Sequence, residues 1–183
     1  MLTARPKGAA NACLSLLHRA RHNAGVLIRP AKEEDRAVLG RMAASLVVLH
    51  HDLDPQRFML FGSREKTEEG YGQWLVRQAG SDKAFVLVAE LDAVLLGYVY
   101  GTLEGRDWMA LRDAAGVLQD IFVDEPARRR GVARALVEAL TARFKERGES
   151  RVVLSTAAKN EPAQRFFEQM GFRRTMIEMT REL

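Results

Sequence analysis

The run Arg128-Arg129-Arg130-Gly131-Val132-Ala133-Arg134 is the strongest chemical signal in the sequence. It follows a strand-like segment and opens a helical one. A helix start offers unpaired backbone N–H groups and about half a positive charge, which suits a phosphate. Gly131 and Ala133 lack bulk, so an anion can approach the main chain closely, and the arginines add forked donors. Taken alone, the run also reads as a solvated basic helix start. A second pattern, Asn160-Glu161-Pro162-Ala163-Gln164-Arg165-Phe166-Phe167-Glu168-Gln169-Met170-Gly171-Phe172, reads by itself as a capped helix with aromatic packing. Asn160 is a good N-cap, Pro162 sits in the first turn and Gly171 stops the helix.

Regular elements must hold these residues in place. Residues 26–29 read as a strand that Pro30 ends. Glu33-Glu34-Asp35 place acid at the start of a helix, which Val38, Leu39, Met42, Leu46 and Leu49 continue at helical spacing. Residues 50–55 read as a break. Residues 66–79 allow a second helix carrying Tyr71, Trp74 and Leu75, weakened by Gly70 and Gly72. Residues 85–89 and 94–100 form a β-hairpin, and residues 117–123 a further strand. Val132, Leu136, Val137, Leu140 and Phe144 mark an amphipathic helix ending at Gly148. Strands follow at residues 151–155 and 172–179. The order β-α-α-β-β-β-α-β-α-β predicts an α/β fold with a sheet of mixed direction.

At 183 residues and 47% hydrophobic, the chain can bury one core. We expect a single domain over residues 25–183 behind a basic extension, residues 1–24. That extension holds Arg5, Lys7, Arg19, Arg21 and no acid, while the other 24 basic residues match the 24 acidic ones. The net charge of +4 therefore belongs to the extension, and the neutral body argues against nucleic acid as a partner. An acid-poor, Arg-containing start also fits a targeting peptide, but its apolar stretch is short and interrupted by Asn11. No apolar run approaches the roughly 20 residues of a membrane span, so no membrane is expected. The single cysteine, Cys13, cannot form an internal disulfide, which points to a reducing, cytoplasmic setting. The four histidines show no ligand spacing, and no metal is expected.

Together the two patterns resemble the GNAT superfamily of acyl-CoA-dependent N-acyltransferases. Arg128-x-x-Gly131-x-Ala133 resembles its pyrophosphate loop, R/Q-x-x-G-x-G/A. Asn160-x-x-Ala163-x-x-Phe166-Phe167-x-x-x-Gly171-Phe172 resembles its second signature, N-x-x-A-x-x-[FL]-Y-x-x-x-G-F. Leu118-Gln119-Asp120-Ile121-Phe122-Val123 looks like the strand before the loop, and Ile28-Arg29-Pro30-Ala31 like the opening strand. The likeness covers about residues 26–180. It implies a mixed, mostly antiparallel sheet flanked by helices, with splayed central strands forming an acetyl-CoA cleft. The pantetheine arm would lie between the strand through Ile121, Phe122 and Val123 and that through residues 153–156. Arg128 and the backbone of Arg129, Arg130, Gly131, Val132, Ala133 and Arg134 would hold the pyrophosphate. Asn160 and Phe167 would lie near the pantetheine or thioester end.

The implied reaction is direct attack of a primary amine, on a small molecule or peptide, on the thioester of acetyl-CoA. An alkyl ammonium titrates near 10.4, so about one in 10³ is neutral at pH 7. A group must accept that proton, and a main-chain N–H near Ile121 would stabilise the oxyanion. Relatives often use a tyrosine as general acid where this chain has Phe167. Tyr98, Tyr100 and Ser155 are the candidates to replace it. In family members similar to polyamine and other small-amine acetyltransferases, a glutamate can occupy the position held here by Gln119, which cannot take a proton. Asp120 is then the candidate base, or else a carboxylate that positions the strand or the amine. His51 and Asp52 fall, with His50 and Asp54, where the family builds its acceptor pocket. Asp54 reads more simply as a turn residue, and Glu104 and Asp107 are further candidates. Because both proton-transfer positions differ from the pattern, a non-catalytic acyl-CoA-binding sensor is the alternative. A homodimer is an assembly the resemblance allows.

Overall fold

In the computed structural model, which describes residues 25–183, the sheet grows from a hairpin in the middle of the chain. β2 (Ala84–Leu91) and β3 (Val94–Glu104) are joined through Asp92 and Ala93, both at positive φ, 48° and 63°. Positive φ at both central residues marks a type I′ turn, whose twist matches that of paired strands. Ala93 holds this conformation without glycine's freedom, at a cost on the order of 1 kcal/mol. Ala93→Gly is therefore expected to raise Tm by about 2–4 °C, read by thermal melts. A lower Tm would mean that the turn is relaxed in solution.

β1 (Leu27–Pro30) pairs antiparallel with β2, and β4 (Ala115–Val123) antiparallel with β3. β5 (Val152–Leu154) joins β4 in parallel, giving the order β1-β2-β3-β4-β5. α1 (Arg36–Leu53) and α2 (Arg64–Ala79) cover one face, with Leu39, Met42 and Leu75 packed on Tyr98, Tyr100 and Phe122. α3 (Val132–Glu146) and α4 (Glu161–Gln169) cover the other, where Leu136, Leu140, Phe144 and Phe167 meet Val99 and Leu118. Alternation along β3 sends Tyr98 and Tyr100 one way and Val99 the other.

The two helices on the first face approach closely. A Cβ on Gly40 would stand 2.0 Å from the Glu68 carbonyl oxygen, and one on Gly72 2.3 Å from that of Arg36. The glycine that weakens α2 on propensity is thus needed for its packing. Tyr71, beside Gly72, is thereby held over the sheet.

Four expectations are corrected. Residues 50–55 do not break the first helix, which runs to Leu53 before Asp54 turns extended. Glu33–Asp35 is a 3₁₀ turn, and Asp35 accepts from Lys32 N–H at 2.8 Å and pairs with Arg29 at 2.7 Å instead of serving the α1 dipole. The second helix starts earlier, at Arg64, because Ser63 caps it. Residues 172–179 form no strand: Met176, Ile177 and Met179 stay exposed, so the burial that makes alternation count is missing. The basic extension and Cys13 lie outside the described residues.

Candidate active site

The register of β3 against β4 contains a bulge. Tyr100 pairs with Asp120 and Gly101 with Leu118, leaving Gln119 unopposed. An extra residue breaks the alternation of faces. Leu118 packs among the α3 side chains, yet Gln119 and Asp120 both turn toward the α1–α2 side. There Gln119 Nε2 donates to Thr102 Oγ1 at 3.1 Å and Glu104 Oε1 at 2.9 Å. Tyr71 Oη donates to Asp120 Oδ2 at 2.6 Å, and Tyr98 Oη to the same oxygen at 3.4 Å. Among the described residues nothing donates to Oδ1.

Burial raises the Asp120 carboxyl above its usual pKa, while the phenols of Tyr71 and Tyr98 and the charge of His50 pull it back down. Desolvation, reinforced by that carboxylate, pushes both phenols upward, so each stays a neutral donor at pH 7. The result is a carboxylate steadied on one oxygen and open on the other. A base tuned upward from the ordinary carboxylate range suits proton abstraction near neutral pH.

The strands part beside it. β5 follows β4 only from Gly116↔Val152 to Leu118↔Leu154. Asp124 N–H bonds Leu96 O at 2.9 Å on the β3 side. Alternation then turns the main chain of Val123 and Ile121 to the side that β5 has left. Arg128 fills one group there, its Nε donating to Val123 O at 3.0 Å with the guanidinium 6.0 Å from the Phe122 ring centre.

At the end of this slot lies a run of backbone amides without partners. Arg128 N–H bonds Glu125 O, and the next paired amide is Ala135 N–H to Gly131 O at 3.0 Å. The amides between them, Arg129 to Arg134, meet no acceptor among the described residues. Arg129 at φ 63° and Gly131 at φ 85° turn the chain into the kind of concave backbone that holds anions. Val132 drops its side chain into the core and leaves its amide at the helix start. Arg129 and Arg130 are exposed alongside, and Arg134 pairs with Glu138 at 3.7 Å.

The other residues singled out in the sequence fall into two groups. His51 Nδ1 meets Phe58 O at 2.8 Å, and His50 stacks on the Phe58 ring at 5.0 Å. His50 continues the buried stripe of Leu39, Met42, Ala43 and Leu46, so it, not Asp52, faces Asp120. Asp52 is exposed two residues on, roughly opposite on the helix. Asn160 Oδ1 caps α4 by accepting from Ala163 N–H at 3.2 Å, and Phe167 is buried between Phe166 and Phe172. Tyr100 packs edge-on to Trp74 at 5.0 Å, and Ser155 is exposed just past β5. Glu104 is taken up by Gln119 and by Arg112 at 2.7 Å, and Asp107 by the amides of Met109 and Ala110. Tyr71, which the sequence marks only as a helical aromatic, is the residue the structure adds beside Asp120. No local pattern marks a contact across 49 positions.

Among the described residues there is no cluster of metal ligands and no helix long and apolar enough to cross a membrane. Human N-acetyltransferase 8 is 35% identical over 88 residues, which are 48% of this chain and 38% of that protein. Mycothiol acetyltransferase of Cellulomonas flavigena is 33% identical over 102 residues, 54% of this chain and 29% of that protein. The chain thus matches well under half the length of these curated relatives. Three solved structures share the fold at low identity. A tetramutant protein of Bacillus halodurans has a TM-score of 0.74 at 21% identity, over 86% of this chain and 99% of that one. A GCN5-related N-acetyltransferase of Ralstonia eutropha gives 0.65 at 22%, over 87% and 99%. An aminoglycoside N-acetyltransferase in complex with CoA gives 0.62 at 21%, over 86% and 94%. With residues 46–172 matching its family model, more than half of the sequence, this chain belongs to the acetyltransferase (GNAT) family.

Proposed function

We propose that this chain is an acetyl-CoA-dependent N-acetyltransferase acting on a primary amine, with Asp120 as the base. The observation that carries this reading is the bulge at Gln119, which sets a partly buried carboxylate beside the slot where β4 and β5 separate. An arm with amide groups and an anionic end fits that slot: main-chain groups of Ile121 and Val123 line its wall, and unpaired amides close its far end.

Acetyl-CoA, when bound, supplies the thioester carbonyl carbon that the amine nitrogen attacks as the carbon–sulfur bond breaks. Asp120 Oδ1 takes the proton the amine must lose, while Tyr71 and Tyr98 keep Oδ2 in place. A thiol titrates near 8.5, so CoA leaves as a thiolate without a strong acid. Phe167 therefore serves packing with no loss of chemistry. Calorimetric titration with acetyl-CoA, followed by thiol release over an amine panel, tests the reading. Binding without release for every amine would leave a sensor instead of an enzyme.

Tyr71→Phe removes a hydrogen bond that lowers the Asp120 pKa, so that pKa moves further up. The acidic limb of the pH–rate profile is expected to shift to higher pH, with the plateau rate retained to within about tenfold. An unmoved limb would show that Tyr71 does not act through Asp120.

A further inference from the structure

A bulge needs something to hold it, because the extra residue gives up its place in the ladder. Burial does not hold this one, since Gln119 is exposed. Hydrogen bonds across β3 hold it instead. Thr102 and Glu104 share the face of β3 that carries Tyr98 and Tyr100. Gln119 Nε2 reaches both, and Thr102 Oγ1 donates in turn to Glu104 Oε1 at 3.3 Å. Glu104 is fixed on its other oxygen, Oε2, by Arg112 Nη2 at 2.7 Å. Arg112 is fixed by its main chain, which exchanges bonds of 2.8 and 2.9 Å with Asp107 in the connection from β3 to β4. The same guanidinium leaves Nη1 buried without an acceptor among the described residues. Burying a donor in that way costs stability, so stability alone does not account for the arrangement.

We propose that Glu104 is a positioning residue for the base: through Gln119 it holds the bulge that turns Asp120 toward Tyr71 and Tyr98. The inference rests on the acetyl-transfer reading above. Along β3, Thr102 and Tyr98 lie on opposite sides of Tyr100, which is the residue paired with Asp120. Gln119 is therefore drawn one way, to Thr102 and Glu104, and Asp120 the other, to Tyr98 and Tyr71. That separation lets two successive side chains share one face of the sheet. With Gln119 released, plain alternation returns, and a slip of one residue carries Asp120 to the α3 side, away from both phenols. Arg112 and Glu104 thus set the register at Asp120 without touching it.

The test compares the parent with Glu104→Ala and Glu104→Gln, by acetylation kinetics and by NMR titration of the Asp120 carboxyl carbon, assigned with Asp120→Asn. In Glu104→Ala, kcat is expected to fall about 10²-fold, the effect of a misplaced reacting group, with acetyl-CoA affinity retained. Its Asp120 carboxyl should titrate at higher pH than the parent's, because the two phenol bonds that lower it are lost. Tyr71→Phe added to Glu104→Ala should then move the titration no further, since both act through one bond. Glu104→Gln keeps an oxygen for Gln119 and should recover most of the lost kcat. Gln119→Met cuts the same contact from an exposed position and should reproduce both changes of Glu104→Ala. A parent-like titration and kcat in Glu104→Ala would overturn the inference and leave acetyl transfer standing. So would a loss confined to the KM of the amine, which would make Glu104 a contact of the acceptor. A parent that acetylates no amine would remove the acetyl-transfer reading and this inference with it.

Discussion

Asp120→Asn is expected to lower kcat by about 10²- to 10⁴-fold, the usual worth of a general base, and to leave acetyl-CoA affinity nearly unchanged. The amide keeps the shape of the carboxyl and accepts from Tyr71, so the packing survives. It cannot take a proton. Parent activity should rise with pH through a limb that lies above the ordinary carboxylate pKa, because burial raises that of Asp120. The variant should lack that limb.

Stability should move the other way. In the parent, the folded state binds the Asp120 proton more tightly than the unfolded chain does. Between the unfolded and folded pKa values the native state carries more protons, so stability falls as pH rises through that window. Above it the ionised, partly buried carboxylate is a fixed cost. Asparagine has no such cost. The variant's Tm should equal the parent's near pH 4 and match or exceed it at pH 8. Thermal melts at the two pH values check the sign, and initial rates check the chemistry. Full activity in the variant would place the base elsewhere, and a Tm deficit confined to pH 8 would mean that the carboxylate is stabilising.

Much of this site was legible because it is local. The arginine-rich loop occupies seven consecutive positions, and the reasons for glycine and arginine there act within one turn of chain. Asp120 was legible as a carboxylate on the strand before the arginine-rich loop. Its partners were not. Tyr71 reads as an ordinary helical aromatic, and only the close α1–α2 packing at Gly40 and Gly72 delivers it to Asp120. Nor does any residue announce the bulge at Gln119. Strict alternation from Leu118 would send Asp120 into the α3 face, away from the tyrosines. His51 and Asp52 show the opposite failure. Adjacent residues in a presumed loop can share a pocket, but a helix that continues to Leu53 separates them by about 100°. The strand expected at residues 172–179 fails for another reason: apolar residues fix a place in a sheet only where one face is buried, and Met176, Ile177 and Met179 are exposed.

Gly131→Val is expected to weaken acetyl-CoA binding by roughly 10²- to 10⁴-fold. Gly131 sits at φ 85°, ψ 0°, at the N-cap of α3. A β-branched residue is a steric outlier there, so the loop must rotate out of its present shape. That movement disperses the amides from Arg129 to Arg134. Losing two hydrogen bonds to a charged group, each worth about 1.5–3 kcal/mol, gives the quoted range. Two controls separate local from general damage. Asparagine tolerates the left-handed region, so Gly131→Asn should keep the backbone and lose far less affinity. S-acetylpantetheine lacks the pyrophosphate, so its kcat/KM should hardly differ between parent and Gly131→Val. Equal losses with both donors would mean that the substitution spoils α3 or the slot rather than the run of amides, and normal acetyl-CoA affinity would mean that the phosphates bind elsewhere.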